Sequence, residues 1–128
     1  MILLDSDVVI AHLRGRPEAR DWLLDARRRT GRLATSAVTL TEVAGGMRSG
    51  ERREVVRLLS SLEVFPVTER VGWRAGELMR TYRRSHGGIG LGDYLVAAVA
   101  DVNGLELATL NVRHFPVFTD LAPPFSLS

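Results

Sequence analysis

The sequence contains no cysteine and no lysine. Without cysteine there is no disulfide, no thiolate metal site and no thiol nucleophile, so any metal must be held by oxygen or imidazole, which favours magnesium or manganese. Without lysine all 17 Lys/Arg positions are arginine. Planar guanidinium forks suit phosphate, but a formal net charge of +2 is too small to demand a polyanionic partner. Also missing is any apolar run near the roughly 18 to 20 residues of a membrane span. The opening MILLDSDVVI carries acids where a signal peptide has a basic flank. The expectation is a cytoplasmic protein with no membrane contact.

What is present is a chain of 128 residues with 45% hydrophobic content, enough for one compact domain over residues 1–128 with a loosely packed tail from about residue 120. Ile2-Leu3-Leu4 reads as a short buried strand that stops at the polar triplet Asp5-Ser6-Asp7, before helical spacing begins at Val8. Pro17 opens a second helix running to about Arg29, and Gly31 closes it. Leu33-Ala34-Thr35 predicts a second strand, followed by helices from about Val38 to Met47 and from Glu51 to about Ser61. Val64, Phe65 and Val67 suggest a third strand, and Val71, Ala75, Leu78, Met79 and Tyr82 mark an amphipathic helix ending near Arg84. A glycine-rich loop, residues 85–92, leads through Asp93 into an apolar helix from Tyr94 to Val102. Leu105 to Thr109 predicts a fourth strand, and Pro116 to Thr119 a fifth at the sheet edge. Short apolar strands alternating with helices imply an α/β fold, a parallel sheet covered on both faces, with ligands bound at the carboxyl ends of the strands.

Three acids stand where such a sheet would gather them. Asp5 ends the first strand, Glu42 opens the helix after the second, and Asp93 opens the apolar helix after the glycine loop. Each also has a structural use. Asp5 and Asp93 suit helix N-caps, and Thr39-Leu40-Thr41-Glu42 fits a capping box. Placed together in one partly buried pocket, however, three carboxylates repel one another unless a cation neutralises them. A divalent ion that binds phosphate oxygens makes phosphodiester hydrolysis the natural chemistry.

The segments LLDSDVVI, TLTEVAGG, LGDYLVAAVA and ATLNVRHFP, in this order and spacing, resemble those of PIN-domain ribonucleases, and within them VapC-type toxins. The likeness runs from residue 2 to about residue 118. It implies a PIN-like α/β/α sandwich on a short parallel sheet of four to five strands. It also implies Mg2+ or Mn2+ bound by Asp5, Glu42 and Asp93, and cleavage of RNA. A homodimer and a VapB-type protein antitoxin follow from the same likeness, with DNA contacted only indirectly through the antitoxin. Family members commonly carry a fourth acid in a Thr-x-Asp pattern, where this chain has Thr109-Leu110-Asn111. Neutral Asn111 is expected to position water or a second ion, which favours one firmly held metal over two. Ser6, Asp7 and Thr109 are outer candidates that touch a ligand or the substrate.

Arg27-Arg28-Arg29 with Arg32, and Arg80 with Arg83 and Arg84, read mainly as solvated helix faces, although they could line a path for RNA. His12 and His114 show no ligand spacing with each other, His86 is a loop histidine near the pocket, and Trp22 and Trp73 fit core or dimer packing. A PIN domain that only binds RNA or protein is the rival reading, with Asn111 as its best support. A phosphoacceptor domain would need a lysine that the chain lacks.

Overall fold

The computed structural model describes residues 1–127. Four short parallel strands form one sheet in the order β3-β2-β1-β4: β1 (Ile2–Leu4), β2 (Leu33–Ser36), β3 (Glu63–Phe65) and β4 (Glu106–Ala108). Leu4 pairs with Thr35 on one side and Ala108 on the other, so the ends of β1, β2 and β4 lie level with one another. The helices are α1 (Ser6–Leu13), α2 (Pro17–Thr30), α3 (Ala37–Gly46), α4 (Arg52–Ser60), α5 (Glu69–Tyr82) and α6 (Leu91–Asn103).

The two-residue period of a strand divides the core in two. Leu3, Ala34 and Leu107 point to the face covered by α5, α6 and the buried ring of Phe115. Ile2, Leu4, Leu33 and Ala108 point to the opposite face, against Val8 and Val9 of α1, Leu23 of α2, Val43 of α3 and Val55 of α4. The apolar helix α6 is buried through five successive residues, Val96 to Ala100. Three of the five are alanines, which let its backbone lie close to its neighbours. Gly104, with a φ of 64°, ends the helix in the left-handed conformation that glycine adopts without strain.

Helix starts follow the capping logic. Ser36 accepts from the Thr39 amide at the head of α3, and Thr68 accepts from the Val71 amide at the head of α5. Asp5 caps α1, which therefore begins at Ser6 rather than at Val8.

The expected fifth strand is not formed. Pro116 to Thr119 is a run of turns in which the Phe118 amide donates to the Phe115 carbonyl at 3.1 Å. Phe115 is drawn into the core, and Pro116 has no N–H to offer a sheet edge. The terminal segment is irregular but not loose throughout. Leu121 packs on the first core, and the Phe125 ring lies 6.1 Å from that of Trp22, centroid to centroid. Among the described residues no helix is long and apolar enough to cross a membrane.

The close approach of α6 sets the first prediction. Ala98→Leu, which adds volume where Ala98 is 0% exposed, lowers stability by about 1–3 kcal/mol. Urea unfolding measures it, and an unchanged midpoint would contradict the packing described here.

Candidate active site

β1 lies between β2, which follows it in the chain, and β4, which returns from the far end, so the strand order reverses between β1 and β4. A crevice at such a point, outside the carboxyl ends of the strands, is where open parallel sheets bind ligands. Asp5 directly follows β1 and Thr109 directly follows β4, and the Asp5 amide donates to the Ala108 carbonyl at 2.9 Å. That bond ties the two strand ends together at the crevice.

Asp5 is only 6% exposed. Its Oδ1 accepts from the Ser6 amide at 2.8 Å, and its Oδ2 accepts from Thr109 Oγ1 at 2.8 Å. Asp7, in the first turn of α1, turns its Oδ2 to the Leu110 amide at 3.0 Å and to the same Thr109 hydroxyl at 3.2 Å. A hydroxyl has one proton, so Thr109 cannot fully satisfy both acids. Asp7 Oδ1 is buried with no hydrogen-bond partner among the described residues. Burial, followed by the charge of Asp7, raises the Asp5 pKa to about 6, despite the lowering effect of its hydrogen bonds. Burial raises that of Asp7 as well.

Glu42 lies in the second turn of α3, whose N-cap is Ser36. The expected capping box is therefore absent, because α3 starts two residues before the Thr39 that would have been its cap. Glu42 is exposed and caps no helix. Desolvation, then Asp93, then Asp7 raise its pKa. A Cβ built on Gly92 would lie 3.8 Å from Glu42 Oε1, so glycine at the head of α6 leaves its backbone beside this acid.

Asp93 is the third residue of α6, not its cap. Its Oδ2 accepts from the Gly90 amide at 3.1 Å and lies 3.0 Å from His114 Nδ1. Asn111 donates its backbone N–H to Thr109 Oγ1 at 3.1 Å, and its side-chain amide lies 2.8 Å from the same His114 nitrogen. Ser6 reaches the acids through its backbone amide. Thus Asp5, Asp7, Glu42, Asp93, Thr109 and Asn111 all gather at one end of the sheet.

His114 was not anticipated. Its signal was the three-residue spacing from Asn111 in ATLNVRHFP, which a one-turn helix, Val112–His114, folds back on itself. His86 stays outside, with Ser85 Oγ on its Nδ1 at 2.8 Å and its ring against Tyr82. Arg27 and Arg29 of α2, and Arg32 beyond its end, are engaged away from the site: Arg27 with Ser61, Arg29 with Asp25 and Arg32 with Glu63.

The residues fit a divalent cation. A buried acid and a half-buried one share a single hydroxyl proton, one carboxylate oxygen is orphaned among the described residues, and all the candidate ligands are hard oxygens. Among the described residues no three acids or histidines close into a metal cage. The fit therefore rests on the Asp5–Asp7 pair and the orphaned oxygen, not on a closed ligand set.

The raised pKa of Asp5 gives the second prediction. An acid whose folded pKa lies above its unfolded value takes up a proton on folding, so its contribution to stability falls as pH rises from 3.8 to about 6. Asp5→Asn removes that loss and keeps an oxygen for Thr109. In metal-free protein the variant gains up to about 3 kcal/mol on the wild type between pH 4 and pH 7. Thermal melts across that range check it; a pH-independent difference would refute the burial argument.

Known proteins resemble this chain over nearly its whole length. The PIN domain family matches residues 2–119. A ribonuclease of Mycobacterium tuberculosis, VapC10, is 63% identical over 127 residues, covering 99% of this chain and 95% of its own length. Among solved structures, a toxin-antitoxin complex from Klebsiella pneumoniae superposes with a TM-score of 0.80 at 24% identity, covering 98% of each chain. VapBC-1 from nontypeable Haemophilus influenzae gives 0.74 at 27% identity, covering 94% of this chain and 95% of that one.

Proposed function

The chain belongs to the PIN-domain family, and from that premise we propose that it is a metal-dependent endoribonuclease, the toxin of a VapBC-type pair, acting in the cytoplasm. The observation that carries the reading is the buried Asp5 carboxylate beside Asp7, with one hydroxyl proton between them and Glu42 and Asp93 close enough to feel the same field.

Asp5 and Asp93 hold Mg2+ or Mn2+, with Glu42 completing the site. When bound, such an ion polarises the phosphodiester and the water that attacks it. The chain's own groups do the rest. Thr109 and the Ser6 amide fix the Asp5 carboxylate, and Asp7 adds negative charge that favours a cation. Glu42, exposed and raised in pKa, is the acid best placed to take a proton from water. Asn111 adds no charge, so the site holds one ion firmly rather than two. A non-catalytic binding module is the second reading, supported by Asn111, whose amide is already engaged by His114.

The direct test is cleavage of RNA by the purified chain. Activity is silenced by EDTA, returns with Mg2+ or Mn2+, and drops about a hundredfold or more in Asp93→Asn, the scale on which single electrostatic contributors act. A folded Asp93→Asn protein that cleaves at the wild-type rate, or cleavage indifferent to EDTA, would sink the proposal.

The partner of this toxin is a VapB-type antitoxin, and any DNA contact runs through it. A groove of about 440 Å3 between α2 and α4 is the seat that suits a protein segment. Leu23, Leu24 and Leu58 supply its apolar wall, with Leu24 56% exposed, and Arg20, Arg27 and Arg57 outnumber the single acid, Glu54, among its charged lining. That surface is complementary to an amphipathic helix bearing acidic side chains. Leu24→Asp should lose co-purification with the antitoxin while leaving RNA cleavage intact. Retention at the wild-type level would place the antitoxin elsewhere. We also read the chain as a homodimer; the outer face of α5 offers a surface for it, where Trp73 is 72% exposed beside Gly72 and Gly76.

A further inference from the structure

A continuous line of hydrogen bonds joins the first acid of the site to the last. Asp5 Oδ2 accepts from Thr109 Oγ1, which accepts from the Asn111 amide. The Asn111 side chain meets His114 Nδ1 at 2.8 Å, and the same nitrogen lies 3.0 Å from Asp93 Oδ2. The line spans the crevice from the end of β1, across the end of β4, to the head of α6.

The hydrogen inventory fixes what His114 does there. Asp93 is an acceptor when ionised, so Nδ1 must carry the proton and donate it, in either charge state of the ring. The side-chain atom of Asn111 placed against Nδ1 is Nδ2, and since two donors cannot face each other, the amide is assigned the flipped orientation, with its oxygen toward that N–H. Asp93 Oδ2 thus takes two donors, the Gly90 amide and the His114 ring. Both of these bonds fall on the same oxygen, Oδ2. Phe115, 1% exposed, anchors the chain directly after His114, and the Asn111 carbonyl accepts from the His114 amide at 3.1 Å. The imidazole is therefore fixed at its root. Its far edge faces the glycine loop, where a Cβ on Gly88 would lie 3.9 Å from Nε2.

We propose that His114 is a positioning residue for Asp93, a ring that holds Oδ2 by Nδ1–H and presents Oδ1 to the divalent ion. The proposal rests on the metal-dependent reading of the site given above. A carboxylate held this way does not have to be ordered when the ion arrives, so the loss of His114 acts on ion affinity rather than on folding.

The test is calorimetric titration of Mn2+ into the metal-free wild type and into His114→Ala, His114→Asn and His114→Gln, with the melting temperature of each metal-free protein as the fold control. An asparagine amide nitrogen falls where Nδ1 stood, and a glutamine nitrogen falls where Nε2 stood. His114→Ala and His114→Gln are expected to bind Mn2+ about 10- to 100-fold more weakly, and His114→Asn to recover to within about threefold of the wild type. Wild-type affinity in His114→Ala, or His114→Asn no tighter than His114→Gln, would overturn the role assigned to His114 and leave the metal site standing. No Mn2+ binding by the wild type would overturn both. If His114→Ala does not fold, the comparison of the Asn and Gln variants decides the matter alone.

Discussion

One hydroxyl proton, that of Thr109, stands between two carboxylates, Asp5 buried and Asp7 half-buried. β1 and β4 are neighbours in parallel register, so the residue after each must meet the other, and at those places the chain puts an acid and a threonine. Filling the crevice with apolar side chains would remove the desolvation cost and the repulsion between Asp5 and Asp7. A chain that keeps them holds a cluster of negative potential at the one place where the sheet opens, and a bound cation offsets much of the cost of keeping it.

The rest of the architecture makes that cluster rigid. Each acid stands on, or at the mouth of, a regular element, and each element is fixed by one of the two cores. The alanine-rich burial of α6 is what brings its head to the crevice, since a helix held off by larger side chains would carry Asp93 away from Asp5. Glycines at 90 and 92 complete the approach by leaving the backbone bare where Asp93 and Glu42 lie. Precision of this kind is cheaper to reach on packed helices and strands than on loops.

The sequence revealed these features unevenly, for physical reasons. Strong periodicity placed all four strands and all six helices, because apolar runs bounded by caps and glycines report local burial directly. The fifth strand was a false reading of Pro116 to Thr119. Apolar residues there serve a turn around the buried Phe115, and a pattern of that length does not separate strand from turn. The acids were legible as a set through their motif order. Their local roles were less so, since one helix start decides whether Glu42 caps or is free. Ser36, not Thr39, took the cap. His114 was invisible because its partners lie 3 and 21 residues away in sequence, and only the one-turn helix after β4 closes that distance.

Capping and the proposed ligation do not exclude each other, because a carboxylate has two oxygens and each oxygen two lone pairs. Asp5 gives Oδ1 to the Ser6 amide and Oδ2 to Thr109, and so is the most firmly held. Asp93 spends Oδ2 on Gly90 and His114, while Asp7 spends Oδ2 and leaves Oδ1 buried without a partner among the described residues. Glu42 is the exposed one of the four. The order of tethering suits the tasks proposed for these acids. Groups that fix an ion must lose their rotamer freedom before it binds, and the backbone amides of a helix start are the donors that achieve this without adding another charge. A group that accepts a proton must instead change its bonding during the reaction, and a long exposed side chain on the second turn of α3 keeps that freedom.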